Sequence, residues 1–556
     1  MMNTCGDSPP AEEGALPMRL SPSAHTDTFC RDSLPPLDQW PRFRFDLPEL
    51  AYPDRLNCAE VLLDQAVERW GEDRLCLITP GERWTYGQLR RRASQIAQVL
   101  TEDRGLVPGN RVLLRGPNNP WLVAAWFGVI KAGCVAVTTM PLLRGTEIRT
   151  LHELTRTSLA LCDHRFVDDL HAGVPELPLL GYGSGDGEDL IRLCDGKSGE
   201  FTAAGTAADD VALLAPTSGT TGRPKATMHF HRDVLANADT FARYVLKPAE
   251  DEVFTGTPPL GFTFGLGGLV VFPFRFGAAS LLLEKPGPDE LVAAIAEHGA
   301  TVLFTAPTAY KAILATGKAS ALPSLRRCVS AGEHLPAEVW AEFHRQTGLK
   351  IINGIGGTEL LHIFISAADD DIRPGSTGRV VPGFEAVVLD DDGSPVPDGQ
   401  PGRLAVCGPT GCRYLADPRQ QVYVQDGWNI TGDTYVRDAD GYFWYQARND
   451  DMIISAGYNI AGPEVEEALL AHPDVVEAAV VGAPDEHRGT IVMAFVVLRP
   501  GVDGDERTTE RLQTFVKHAI APYKYPREIE FVAELPRTVN GKLQRYLLRE
   551  RARTRS

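Results

Sequence analysis

From about residue 50 to 365, short apolar runs alternate with longer segments whose apolar residues recur at helical spacing. Val112–Leu114, Cys134–Val137, Val211–Ala215, Leu281–Leu283, Val302–Thr305, Cys328–Ser330 and Lys350–Ile352 have strand length, whereas Leu122–Lys131, Asp233–Tyr244, Pro288–His298 and Ala337–Thr347 carry the helical period. Such alternation predicts parallel sheets covered by helices. Near residue 370 the pattern changes. Short β-like runs are now separated by turns such as Asp391-Asp392-Gly393 and Asp438-Ala439-Asp440-Gly441, which predicts a small antiparallel barrel or sheet. The Asp390–Gly393 cluster lacks the alternating ligands and closing Glu of a calcium loop, and it reads as a turn. Beyond Ala447–Asp451 a compact α+β segment follows, with helices over Glu464–Ala471 and Arg511–Ile520 and strands over Glu477–Val481 and Val492–Leu498.

The predicted fold is therefore α/β. A large N-terminal domain of helix-covered parallel sheets with a small β-barrel-like subdomain spans 41–449, and an α+β C-terminal domain spans 450–556. Residues 1–40 mix Pro, Ser, Asp and Glu without periodicity or a signal-peptide apolar run, and read as a flexible tail.

Composition narrows the classes. At 556 residues the chain exceeds a single core, and 43% hydrophobic with 23% charged residues is ordinary for a globular protein. The formal charge of −18 argues against a nucleic-acid partner. Small polyanions stay open, because a local set of backbone donors holds phosphate even in an acidic protein. No stretch approaches the roughly 20 apolar residues of a spanning helix, so no membrane partner is expected. Ten cysteines form no paired CxxC, which predicts buried free thiols and a cytoplasmic, reducing setting.

Several motifs carry chemistry. Thr217-Ser218-Gly219-Thr220-Thr221-Gly222-Arg223-Pro224-Lys225 follows an apolar strand and offers two glycines, four hydroxyl residues and a terminal ammonium, a loop suited to curling around an anion. Pro224 stands where a Walker A loop needs Gly, and the loop is expected to lie between a strand and a helix. In Asn353-Gly354-Ile355-Gly356-Gly357-Thr358-Glu359, glycines let a planar group approach the backbone, and a hydroxyl followed by a carboxylate suits phosphate and Mg²⁺. In Thr431-Gly432-Asp433 the carboxylate suits a diol. Neither Gly265–Val270 nor Gly354–Glu359 completes GxGxxG, which argues against a nicotinamide dinucleotide.

Together with Arg448–Ile453, Gly457–Ile460, Pro463–Glu466 and Pro536–Lys542, these motifs stand in the order found in the adenylate-forming superfamily, which the chain resembles from about residue 41 onward. That superfamily comprises acyl- and aryl-CoA ligases, peptide-synthetase adenylation domains and beetle luciferases. The resemblance implies that Thr217, Ser218, Gly219, Thr220, Thr221, Gly222 and Lys225 hold the phosphates of ATP. Gly332, Glu333, Gly354, Ile355 and Gly356 would line the adenine and acyl pockets, Thr358 would meet the α-phosphate, and Glu359 would hold Mg²⁺. Asp433 would bind ribose, Arg448 ribose or phosphate, and Asp450 would be the hinge of a mobile C-terminal domain. Gly457, with Tyr458 beside it, would approach the pantetheine arm of CoA. Lys542 would stabilise charge developing on the α-phosphate. Ile355 stands where many members carry Tyr, Ala447 where Gly is usual, and Phe262 where many carry His.

Phe262 and Phe264, in the Pro258–Gly267 loop, suit a flat apolar acid or plain core packing. Gly354–Phe364 is similar to the benzoate and 2-aminobenzoate ligase branch, and Met228–Asp233 with Gly261–Gly267 looks most like 2-aminobenzoate:CoA ligase. His362 would face the ring or its ortho substituent, or fill a structural place. His229 and His231, at i, i+2, read as packing rather than as a metal pair. The implied activity is ATP-dependent formation of an aryl-CoA thioester through an acyl-AMP. The alternatives are a stand-alone domain loading a carrier protein and a non-catalytic nucleotide-binding relative. The implied partners are an aryl carboxylate, ATP and CoA, with a homodimer compatible.

Overall fold

The computed structural model describes residues 20–185, 187–217, 224–333, 335–390, 392–448, 452–536, 543 and 545–554. Two large sheets organise the N-terminal domain. One has six strands in the order Leu179–Tyr182, Leu159–Asp163, Arg111–Arg115, Val135–Thr139, Val211–Thr217 and Lys225–Phe230. All neighbours in it are parallel except the last pair. The other has nine strands, with a parallel centre running from Ile351–Gly356 through Arg327–Ser330, Val302–Thr305, Val253–Gly256 and Ala279–Leu281 to Leu75–Ile78. The continuous apolar runs have their cause here. Strands such as Val135–Thr139 are buried along their whole length, as parallel strands covered on both faces must be.

Helix Pro120–Lys131 is buried almost all round. Asn119 caps it by accepting the Leu122 N–H, and Pro120 occupies the first turn, where a missing N–H costs nothing. Its Trp126 and Phe127 share one core with Val112 of the first sheet and Phe304 of the second, so the two sheets are packed around a common interior. Residues 385–448 build an antiparallel sheet from Glu385–Leu389, Pro401–Cys407, Val424–Gln425, Trp428–Arg437 and Phe443–Arg448.

The C-terminal domain is built around strands Val475–Asp485, Gly489–Leu498 and Glu528–Phe531. Both faces of this sheet are apolar. Val480, Val492, Ala494 and Val496 pack with Ile453 and Ile460 of the hairpin Met452–Ser455/Tyr458–Ala461 and with helices Gly462–Leu470 and Glu506–Ala519. Ala479, Val481, Met493 and Phe495 pack with Leu535, Leu543 and helix Arg545–Arg553.

Two expectations are corrected. Within the tail expected over 1–40, residues 20–40 pack on the domain: the amides of Ser21 and Ala24 donate to the buried carboxylates of Asp209 and Asp210 at 3.0 and 2.9 Å, Cys30 is fully buried, and the guanidiniums of Arg111 and Arg156 each lie 4.8 Å from the Phe29 ring centroid. The segment is held by backbone donors and single rings rather than by a periodic face, so hydropathy carries no trace of it. The Ser/Thr/Gly loop does not lie between a strand and a helix. It joins two antiparallel strands in register Thr217↔Lys225, and the helix starts only at His231. Lys225–Phe230 completes the sheet edge, with every residue after Lys225 buried.

Candidate active site

Lys225 opens the second strand of that hairpin, and its ammonium lies 3.0 Å from Oε1 of Glu359. The same carboxylate oxygen accepts the Tyr414 hydroxyl at 2.6 Å, and Tyr414 in turn touches Lys225 through both its hydroxyl and its ring, whose centroid is 4.2 Å from Nζ. Glu359 sits in a single 3₁₀ turn, Thr358–Leu360, pinned on both sides. The Thr358 carbonyl accepts Nε2–H of His229 at 2.8 Å, and the Leu360 carbonyl accepts the Thr410 hydroxyl at 2.8 Å. Burial opposes ionisation of Glu359, but Lys225 and the Tyr414 hydroxyl outweigh it and hold the carboxyl below the ordinary carboxylate range. His229 therefore braces the turn. Burial pushes its imidazole down to about 3, so it is neutral, as is His231, whose ring accepts the Cys58 amide at 3.2 Å. Packing explains both rings. Among the described residues no three His, Cys, Asp or Glu side chains converge as a metal cluster.

Two residues beyond the turn the surroundings become apolar. Leu361 takes φ of +73°, a strained conformation for a branched side chain, and His362 follows it into a nest of Phe241, Phe264, Phe272 and Phe304, with ring centroids 4.6 to 6.2 Å away. Burial drives the His362 imidazole down to about 3, so the ring is neutral; Nε2 lies 3.4 Å from the Phe264 carbonyl and Nδ1 has no protein partner. Phe262, Phe264, Gly356, Leu361 and His362 line a cavity of about 310 Å³ that extends to Thr358. A second cavity, of about 120 Å³, is lined by Glu333, Gly354, Ile355, Asp433, Tyr435 and Tyr445, and Gly332 borders both. Asp433 pairs in register with Arg448 on the neighbouring strand. Burial lifts the Glu333 carboxyl to about 7, although it accepts the amides of Gly457 and Thr308.

The C-terminal hairpin covers this region. Gly457, at φ +82°, sits at the rim of the larger cavity, where a Cβ would come within 3.2 Å of the Ala306 side chain. Tyr458 packs edge-on to Phe262 at 6.2 Å and stacks on Tyr523 at 4.3 Å. The structure thus gathers Thr217, Lys225, Thr358, Glu359, Gly332, Glu333, Asp433, Phe262, Phe264, His362, Gly457 and Tyr458 around adjoining cavities. Ser218–Gly222, Asp450 and Lys542 lie outside the described residues. Tyr414, Tyr435 and Tyr445 were not legible beforehand. The last two alternate like any strand residues, and nothing in the loop around Tyr414 marks it.

Two α/β sheets that share a core, a hairpin whose Lys225 faces a Thr-Glu turn, and a small domain leaning over both cavities give the frame of an adenylate-forming enzyme. The AMP-binding enzyme family model matches residues 63–414, and the AMP-binding enzyme C-terminal domain matches 464–542. The chain belongs to this family. It is 34% identical over 513 residues to a benzoate–CoA ligase of Thauera aromatica, covering 90% of this chain and 97% of that one. The crystal structure of the anthranilate CoA ligase AuaEII in complex with anthranoyl-AMP superposes with a TM-score of 0.71 at 33% identity, covering 91% of this chain and 99% of the other. The amide bond synthetase McbA from Marinactinospora thermotolerans superposes with a TM-score of 0.80 at 28% identity, covering 89% and 99%.

Proposed function

We propose that the protein is an AMP-forming acid:CoA ligase whose substrate is a flat aromatic carboxylate of the benzoate or 2-aminobenzoate class. The observation that carries the reading is the 310 Å³ cavity: phenyl rings and a neutral imidazole line one part of it, and it reaches Thr358, next to the Lys225–Glu359 pair. A ring settles among Phe262, Phe264 and His362, and the carboxylate is directed to Thr358.

In the first half-reaction the carboxylate oxygen attacks the α-phosphorus of ATP, and pyrophosphate leaves. Lys225 and the hairpin 217–225 hold the phosphates, Asp433 and Arg448 the ribose, and Lys542 the charge developing on the α-phosphate. Glu359 suits a magnesium ion that arrives on the triphosphate, because such an ion needs only one or two protein carboxylates, and Glu359 is ionised beside the Lys225 ammonium. In the second half-reaction the CoA thiol gives its proton to solvent, the thiolate attacks the acyl carbonyl, and the acyl C–O bond breaks to release AMP. The Gly457 hairpin, already at the cavity rim, lies where a thiol arm would enter. This hairpin and Leu543, the neighbour of Lys542, pack on opposite faces of the C-terminal sheet. One face is turned to the cavities at a time, which supports rotation at Asp450 between half-reactions. We place the enzyme in the reducing cytosol, a reading supported by nine buried free cysteines.

Incubation with ATP, magnesium, CoA and a panel of benzoate, 2-aminobenzoate, hydroxybenzoates, phenylacetate and short fatty acids tests the reading. An aryl-CoA ester, with benzoate or 2-aminobenzoate preferred over the fatty acids by kcat/KM, is expected. An aryl adenylate that never becomes a CoA ester would overturn the thiol assignment in favour of a carrier protein or an amine acceptor. Preference for a fatty acid would overturn the aryl one.

A further inference from the structure

Where the C-terminal domain meets the N-terminal one, a buried ammonium is shared by carboxylates from both domains. Lys524, in the turn Pro522–Lys524, places Nζ 2.6 Å from Oε1 of Glu147 in the N-terminal helix Gly145–Thr155. The same Nζ lies 2.6 Å from Oε1 of Glu464 in the C-terminal helix Gly462–Leu470. The side chains of Lys524 and Glu147 are only 5% and 10% exposed. Neither half-reaction as derived above uses any of the three.

We propose that Lys524 and Glu147 form a clasp that holds the C-terminal domain in the thiol-delivering position, which makes Glu147 a positioning residue for the second half-reaction. The inference rests on the CoA ligase reading. Proximity supports it first: Tyr523, next to Lys524, stacks on Tyr458, which adjoins Gly457 at the cavity rim, so seating Lys524 on Glu147 also seats the hairpin.

The second support is that the clasp opens without stranding a charge. A buried ion pair that loses one partner is costly, because the remaining charge is left desolvated. Here Lys524 departs with Glu464, which belongs to its own domain. Glu147 stays behind with Oε2 accepting the Arg144 amide at 2.9 Å as the cap of its helix, and gains water on its other oxygen. Each side of the separated interface keeps a satisfied partner. That arrangement suits a contact made and broken in every turnover, whereas a purely structural pair would need only one acid.

Glu147→Gln separates the clasp from the cap, because Gln at the third helical position still accepts the Arg144 amide but carries no charge toward Lys524. We expect ATP–pyrophosphate exchange within about twofold of wild type, and single-turnover thioester formation from supplied aryl adenylate lower by roughly 10-fold. Lys524→Met, which leaves two carboxylates facing each other, should lower the second step by about 100-fold, and Lys524→Arg should recover most of it. Fluorescent labels on Val107→Cys and Val476→Cys, both on exposed positions of opposite domains, in a Cys5→Ser background, should show less of the docked population in Glu147→Gln.

Equal loss in both half-reactions, or wild-type rates with unchanged energy transfer, would overturn the proposal. If the wild-type protein makes no thioester from any acid, the CoA ligase reading fails by itself, and the energy-transfer comparison still decides whether the clasp sets docking.

Discussion

Glu359 and His362 lie three residues apart in one connection, and each is held in the protonation state its surroundings demand. Glu359 keeps its charge in a buried corner because an ammonium and a phenol face it. His362 loses its charge in an equally buried corner because four phenyl rings face it. Burial alone would neutralise both. The difference is made by what the chain folds against: the hairpin strand and the Tyr414 loop on one side, the Gly267–Val271 segment and Phe304 on the other. Leu361, with its left-handed φ, turns the backbone between them. One short connection thereby offers an ionic end and a dry end, the two surroundings that the proposed carboxylate on an apolar ring would need.

The largest break in this comparison is Glu359→Gln. The amide keeps the shape but cannot balance Lys225 or take a metal-bearing phosphate, so ATP–pyrophosphate exchange should fall by roughly 100-fold or more, the scale of removing one preorganised electrostatic partner. Binding of the aryl acid, read by its KM, should change little. Exchange within about threefold of wild type would mean that the charged corner does not serve the phosphates.

The dry corner is tested by proton linkage. His362 is neutral when folded, with its pKa depressed from 6.5 to about 3, so the unfolded chain binds more protons between these values. Its contribution is complete above pH 6.5 and is lost as pH falls, by about 2 kcal/mol between pH 6.5 and pH 5. His229 and His231 add slopes of the same sign. Urea unfolding of the His362→Leu variant should therefore lose about 2 kcal/mol less over that interval than wild type does, whatever its absolute stability. An unchanged acid slope would place the imidazole in water.

Much of this was legible in the sequence, for physical reasons. Pro288–His298 and Ala337–Thr347 match the observed helices end to end, because each carries a one-sided apolar stripe closed by a glycine with positive φ, Gly299 and Gly348. Thr358 and Glu359 stand out in the sequence as a hydroxyl–carboxylate pair after glycines, and the structure brings the first to the larger cavity and the second to Lys225. Contacts made by single residues over long separations were not. Tyr414 reaches Glu359 across 55 positions and Glu147 reaches Lys524 across 377, and neither leaves a local pattern. The segment from residue 20 to 40 escaped for the same reason, and the Thr217–Lys225 hairpin because a six-residue strand before a helix blurs into it.

The smallest expected effect asks whether the two corners are independent. A Cβ at Gly267 would lie 2.3 Å from Cδ2 and 2.8 Å from Nε2 of His362, closer than carbon atoms tolerate, so Gly267→Ala must displace the imidazole. Ring packing on the other sides leaves it little room, and the cavity it lines must change shape. Gly267 opens a helical segment, where Ala is favoured over Gly by about 1 kcal/mol, so the fold should survive the substitution. The expected result is a rise of roughly 10-fold in KM for the aryl acid, the scale set by one ill-fitting group in an apolar pocket. KM for ATP should stay as it is, because Thr358 and Leu360 are tied to His229 and Thr410 rather than to His362. A parallel rise in both values would mean that the connection moves as one piece, so that the charged and dry corners respond together.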